Sequence, residues 1–267
     1  MPAFAGACHI VAHVEGDTLH VANSGDCRAV LGVRGRDGVW ETVALSEDHQ
    51  PSRASEFARI VAEHPGEDPA RLVRKSREGS RGPLRVLGGL MPSRALGDHT
   101  YKWPLAWQTK LVALEESLKN HHLGRRFRPR PDCLTPPYVT ALPEIRTHTL
   151  SDPTAPAFLI VACDGIWDEI TNEQAVAAVA QWLETEPSAE SPLVRDANAA
   201  SHLVRAALAG GKDGDSELVS RLLTVPESEA RSWRDDMTAI VVLFDGTTRN
   251  LKESGRAPWF VRDIVEV

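Results

Sequence analysis

Residues 157–168 read Ala-Phe-Leu-Ile-Val-Ala-Cys-Asp-Gly-Ile-Trp-Asp. Phe158 to Cys163 is an unbroken apolar run with β-branched members, short enough for a strand buried on both faces. It stops at Asp164-Gly165, where Asp tolerates turn geometry and Gly supplies a positive φ. A carboxylate at the end of a buried strand is held by the sheet with its oxygens facing outward. Asp168 lies near Asp164 if the chain turns helically there. Taken alone, the pattern favours a strand-ending turn and a solvated carboxylate at a helix start.

Downstream, Thr171-Asn172-Glu173-Gln174 has the form of a capping box opening a helix, with Ala175, Val176, Val179, Trp182 and Leu183 as its buried face. A second helix spans about Asp196–Ala209 and stops at Gly210-Gly211; Ser216–Leu223 is a candidate third. Arg234-Asp235-Asp236 runs straight into an apolar strand, Met237–Phe244, so this carboxylate pair also sits at a sheet end. Upstream, Cys8–Val14, Thr18–Asn23, Cys27–Val33 and Val39–Leu45 read as a β meander with turns at Glu15-Gly16-Asp17 and Ser24-Gly25-Asp26. Residues 52–63 change period, and Phe57, Ile60, Val61 and His64 form the apolar face of a helix closed by Pro65-Gly66. Gly88–Asp98 is loop chemistry. Residues 101–137 are rich in Trp, Pro and basic residues, with a helix near Trp107–Leu118. The run Arg125–Pro131 reads as a solvated surface loop rather than a dock for an acidic partner. Tyr138–Leu142 and Glu144–Leu150 are expected strands broken by Pro143. There is no internal repeat and no clean linker.

Composition narrows the function. The chain has 267 residues, 42% hydrophobic and 25% charged, an ordinary globular balance. With 37 acidic and 30 basic residues the net charge is −7, which argues against nucleic acid as a main partner. No apolar run is long enough to span a membrane. Cys8, Cys27, Cys133 and Cys163 lack Cys-x-x-Cys spacing, which argues against a disulfide framework or zinc-thiolate site. The ten histidines are dispersed, and His121-His122 is expected to be solvated. Met1-Pro2-Ala3-Phe4 carries no basic or Arg-rich leader pattern.

Asp26, Asp164, Asp168 and Asp235 (or Asp236) all fall at expected strand ends or one turn beyond. Carboxylates without His or Cys companions suit magnesium or manganese rather than zinc. Like charges repel, so gathering them generally needs a cation, and two bridged metals can hold a hydroxide and clamp a phosphoryl group. Spacing by itself does not establish that these ends converge.

Five segments together resemble the metal-dependent, PPM-type (type 2C) protein serine/threonine phosphatases. They are Gly6-Ala7-Cys8, Ala22-Asn23-Ser24-Gly25-Asp26-Cys27-Arg28, Ser93-Arg94-Ala95-Leu96-Gly97-Asp98, Ala162–Asp168 and Arg234–Thr238. Their order matches the family over about residues 5–245. Val11–Val14, Leu87–Pro92, Tyr101-Lys102-Trp103 and Thr135–Ala141 are similar to the pyruvate dehydrogenase phosphatase branch. The resemblance implies an α+β fold, a β-sandwich of two antiparallel sheets flanked by helices. It places a phosphatase domain at about 1–250 with a surface insert at 101–137, followed by a tail at 251–267. It implies Asp164 and Asp235 as ligands of a dinuclear magnesium or manganese site, and Asp26 with Asp168 as ligands of a third ion. Arg94 and Asp98 are expected to be structural. The implied activity is attack of a metal-activated water on phosphoserine or phosphothreonine in a protein, the pyruvate dehydrogenase complex being one expected substrate. The implied location is the mitochondrial matrix, the cytoplasm being the alternative.

The sequence departs from the family at its front. The family pattern opens with an Arg and a Glu-Asp pair, then Asp-Gly-His-Gly-Gly, which supply a phosphate-binding Arg, a bridging carboxylate and the proposed general-acid His. Here Asp37-Gly38 is followed by Val39 and Asp213-Gly214 by Asp215. The expectation is an N-terminally incomplete phosphatase, as a fragment or a natural truncation. Such groups act as a unit, so their loss is severe, and this chain alone is expected to be impaired. A catalytically dead phosphatase-fold binding module is the alternative reading.

Overall fold

A strand buried on both faces must also pair along both edges, because an unpaired N–H or C=O away from water costs as much as a lost hydrogen bond. The computed structural model describes residues 5–77, 79, 81–117, 128–150, 155–184, 196, 198–211, 216–244 and 263–266. In chain order it has β1 (Gly6–Ala7), β2 (His9–Glu15), β3 (Thr18–Ser24), β4 (Arg28–Arg34), β5 (Trp40–Ala44), α1 (Ala54–Glu63) and α2 (Pro69–Leu72). Next come β6 (Val73–Lys75), β7 (Leu84–Val86), β8 (Leu96–Gly97), α3 (Leu105–Ser117), β9 (Glu144–Thr149), β10 (Ala157–Ala162) and α4 (Asp164–Trp167). The remainder is α5 (Asn172–Glu184), α6 (Ala199–Leu208), α7 (Ser216–Leu223), α8 (Glu227–Ala230), β11 (Thr238–Phe244) and β12 (Asp263–Glu266). The chain divides into a first unit, Met1–Ile10, Ala22–Asp26 and Asp48–Glu144, and a second, Val11–Val21, Cys27–Glu47 and Ile145–Val267.

In the second unit β10 is the middle strand of an antiparallel sheet ordered β12-β11-β10-β4-β5. Phe158, Ile160 and Ala162 alternate onto one face and join Val30, Ala239 and Val241 in a core completed by residues of α5 and α6. Phe158 faces Gly32 across the ladder. A Cβ at Gly32 would lie 2.5 Å from the Phe158 ring, which stacks at a tilt on Trp40 with centroids 4.8 Å apart. The missing side chain is what lets the aromatic ring lie flat on the sheet.

The expected helix signals hold here. Thr171 N–H donates to Gln174 Oε1 (2.8 Å) and Gln174 N–H donates to Thr171 Oγ1 (3.2 Å), a reciprocal capping box. Ala175, Val176 and Val179 are buried as read, while Leu183 is exposed and Ala178 and Ala180 take part of the buried face. Asn198 caps α6 by accepting the Ser201 N–H at 2.7 Å, and Gly210 and Gly211 follow its end with φ of 63° and 70°. A separate sheet is ordered β2-β3-β9.

The first unit has its own core, built on Ile60, Leu72, Val86, Leu87, Tyr101 and Tyr138. Two readings need correction here. On α1, Phe57 is exposed and Glu56 is buried beside Ile60. The carboxylate is drawn inward by partners: it accepts from Arg94 Nη2 (2.7 Å), Arg59 Nη2 (2.9 Å) and Ser93 Oγ (2.6 Å). Tyr138–Leu142 is not a strand; only Thr140 makes a bridge, to Arg94. The chain there folds back on itself, with the Tyr138 hydroxyl accepting the N–H groups of Leu134 and Thr135 (2.9 Å each) and donating to Glu67 (2.7 Å).

The basic run also departs from expectation where it is described. Arg130 is not a solvated loop cation. Its guanidinium lies 4.4 Å from the Tyr101 ring centroid and donates to Leu87 O (2.9 Å) and Asp132 (3.0 Å). Arg125, Phe127 and the His121-His122 pair lie outside the described residues.

Burial alone would raise the Glu56 carboxyl, but hydrogen bonds from Arg94, Arg59 and Ser93 outweigh it and hold it at about 2, below its ordinary 4.5. A depressed carboxyl stabilises the fold above its unfolded value, and that contribution is lost as pH falls through the folded one. Glu56→Ala, which strands Arg94, should cost about 3–5 kcal/mol at pH 7. Urea unfolding should show the gap between wild type and variant closing only as pH drops from 4.5 towards 2.

Candidate functional site

Asp164 stands where the central strand ends. The register sets Ala162 opposite Ala239 on β11 and Arg28 on β4. One residue on, Cys163 continues the pairing irregularly: its N–H donates to Thr238 O (3.1 Å), and its sulfur accepts the Thr238 N–H (3.1 Å). With the Cys163 carbonyl taken by the Ile166 N–H (3.1 Å), the chain leaves the sheet and turns into α4.

That single turn is anchored from below. Ile166 and Trp167 are buried, and Trp167 Nε1 donates back to Ala162 O at 2.9 Å. Asp164 Oδ1 accepts the Gly165 N–H (3.0 Å), and the Asp168 N–H bonds to Asp164 O (2.8 Å). Asp164 and Asp168 therefore lie one helical turn apart, as their spacing suggested. Arg28 steadies the same region, its guanidinium 5.2 Å from the Trp167 ring centroid while Nη1 donates to Asn172 Oδ1 at 2.7 Å.

The Asp235-Asp236 segment comes to the same sheet end, because it precedes β11. A Cβ on Gly165 would lie 2.2 Å from the Asp236 carbonyl oxygen, so the α4 turn rests directly on this segment. Asp235 Oδ1 accepts the Asp236 N–H (2.8 Å) and pairs with Arg231 Nη1 (2.8 Å). Arg231 is largely exposed, so this pair is weakly held and a stronger cation can displace it. Asp26 lies in the first unit, buried in the Ser24–Asp26 turn.

The structure thus gathers Asp164, Asp168 and the Asp235-Asp236 segment at one end of the second unit's sheet. Among the described residues no three His, Cys, Asp or Glu side chains are grouped so as to hold a metal ion. As placed, the described carboxylates do not form a metal centre by themselves. Sequence reading missed Arg28, because a contact across the fold leaves no local spacing signal, and it missed Arg231, for which the i,i+4 spacing to Asp235 was the available signal. Arg94 spans Glu56 and Leu142 O (2.9 Å). Asp98, in left-handed backbone with φ 49°, packs against Gly6, where a Cβ would lie 1.9 Å from its carboxylate.

The model of the protein phosphatase 2C family matches residues 2–215. The chain belongs to the protein phosphatase 2C family. It is 37% identical over 270 residues to mitochondrial pyruvate dehydrogenase (acetyl-transferring) phosphatase 1 of Bos taurus, covering 91% of this chain and 48% of that protein. It is 38% identical over 269 residues to a protein phosphatase 2C homologue of Schizosaccharomyces pombe, covering 93% of this chain and 55% of that one. The chain spans about half the length of the curated relatives it matches. Among solved structures, serine-threonine phosphatase 2C of Toxoplasma gondii matches with a TM-score of 0.51 at 20% identity, over 91% of this chain and 60% of that one. The α+β fold with antiparallel sheets and helices is the fold of this family, as the resemblance implied.

The contact under Gly165 gives a direct test of how the site is built. Gly165→Ala should separate the α4 turn from the Asp235-Asp236 segment and lower stability by about 1–3 kcal/mol, as overpacking does. Equilibrium urea unfolding checks it.

Proposed function

We propose that this chain belongs to an enzyme that hydrolyses phosphoserine and phosphothreonine in proteins, with the specificity of a pyruvate dehydrogenase phosphatase. The observation that carries the reading is the placement of Asp164. A family segment ends the central strand at this carboxylate, with Asp168 one turn on and the Asp235-Asp236 segment against Gly165. Residues 1–250, with an insert at 101–137, act as the phosphatase domain.

The proposed cofactor is magnesium or manganese, since oxygen-only ligands suit hard cations. Asp164 and Asp235 are the proposed ligands of a dinuclear pair and Asp168 of a further ion, and Asp26 is proposed by itself as a metal-binding carboxylate of the first unit. The chain's own contribution is rigidity: β10 and the buried Trp167 hold Asp164 in one direction, and Arg231 balances Asp235 until a cation competes for it. The proposed substrate is a phosphoprotein of the pyruvate dehydrogenase complex and the proposed location is mitochondrial, both from the names of the relatives at 37% identity.

Phosphate release from a phosphoserine peptide by the full-length protein is the test. It should require added manganese or magnesium and vanish with chelator. Outer groups around a metal already cost 10–100-fold when removed, so Asp164→Ala should lower release by more than about a hundredfold while leaving the protein folded. Release indifferent to chelator would overturn the metal assignment. Tight phosphopeptide binding with no release under any metal would replace the enzyme with a binding module.

A further inference from the structure

His49 follows β5 and is fully buried. Both its ring and its backbone address one residue, Gly25. The Gly25 N–H points at His49 Nδ1 (3.2 Å), and the Gly25 carbonyl accepts the His49 N–H (2.9 Å) and Asn23 Nδ2 (3.2 Å). The His49 carbonyl accepts the Ser93 N–H at 2.7 Å, which fixes the histidine's own backbone.

These contacts determine the ring's proton. An amide N–H only donates, so Nδ1 must be bare, and the proton of a neutral ring sits on Nε2. Nε2 then donates to Glu144 Oε2 at 3.2 Å. Glu144 is engaged by Arg53 at 2.9 Å, and the hydrogen bonds from Arg53 and His49 keep its carboxyl at about 2 against the effect of burial. Burial and the nearby Arg94 favour the neutral ring over Glu144 and Glu56, which favour the cation. Such a chain, in which a carboxylate selects the tautomer of a histidine that acts on a third group, is a general device for orienting a ring.

Gly25 itself has no freedom. Its φ is 127°, and a Cβ there would lie 2.3 Å from Cys8 Sγ and 2.9 Å from Cys8 Cα. The Ser24-Gly25-Asp26 turn is therefore wedged between Cys8 and His49, and the residue that leaves the wedge is Asp26.

We infer that His49, as the tautomer with a bare Nδ1, is the positioning residue of this turn. Through both polar groups of Gly25 it sets how Asp26 is presented, and Glu144 with Arg53 holds the ring in the required state. The effect on turnover rests on the phosphatase reading; the effect on the turn does not.

Two substitutions separate the ring's two jobs in the full-length protein. His49→Asn puts an amide oxygen near the Nδ1 position, keeping the acceptor for Gly25 and losing Glu144. His49→Gln puts an amide nitrogen near the Nε2 position, keeping the donor to Glu144 and losing Gly25. Stranding a buried N–H costs enough for Gly25 amide exchange to speed up on the order of tenfold in His49→Gln. In His49→Asn it should stay close to wild type. The kcat for phosphopeptide should follow the same order, with KM little changed, although both variants lose stability. Equal Gly25 exchange in the two variants would reduce His49 to a structural residue and overturn the inference. Ring nitrogen shifts of the wild-type protein decide it without any variant, should either fail to fold: a proton on Nε2 supports it and one on Nδ1 overturns it. If the wild type releases no phosphate, the functional reading falls and the exchange comparison still judges the turn.

Discussion

The residues of β10 are almost all buried and the strand lies in the middle of its sheet, so its polar groups must find partners within the protein, and this requirement organises the second unit. Pairing with β4 on one side and β11 on the other meets it. The same ladders put Arg28 and Ala239 level with Ala162, so the segment before β11 and the segment after β10 are delivered to one end. A one-residue slip would turn every side chain of the strand to the opposite face. The alternation of Phe158, Ile160 and Ala162 into the helix-covered core forbids that slip, and the position of Asp164 inherits the precision of the packing.

The first unit is organised by a different constraint. Its interior admits charge, and three of its buried or half-buried carboxylates are met by cations and hydrogen bonds. Glu56 has Arg94, Arg59 and Ser93; Glu144 has Arg53 and His49; Glu67 has Arg71 and Tyr138. Pairs of this kind seldom add much net stability over apolar packing, but removing one member is costly because the other remains buried. They connect segments far apart in sequence, such as Arg53 with Glu144, and give a loop-rich region a defined arrangement.

These two constraints explain which expectations held. The four meander strands, β9, β10, β11, α1, α3, α5, α6 and α7 were readable because period, caps and turn glycines act over a few residues. The capping box at Thr171 needs nothing beyond its own four positions. Phe57 was misread because hydrophobic periodicity treats a glutamate as a surface residue, and two of the groups that hold Glu56 inside, Ser93 and Arg94, lie far along the chain. Tyr138–Leu142 was misread because a tyrosine in an apolar run carries strand propensity, while its hydroxyl here serves neighbouring backbone N–H groups. Arg130 was misread as solvated because a cation resting on Tyr101 and Leu87 O has no local signature.

The sequence by itself determined the family, the order of the elements and the carboxylates worth watching, since motifs and periodicity are properties of neighbours along the chain. Tertiary structure alone decided that the turn carrying Asp164 rests on the Asp236 carbonyl, and that one of ten dispersed histidines engages both the N–H and the carbonyl of Gly25. The physical reason is that these interactions are short-ranged in space and long-ranged in sequence, so they exist only once the chain has folded.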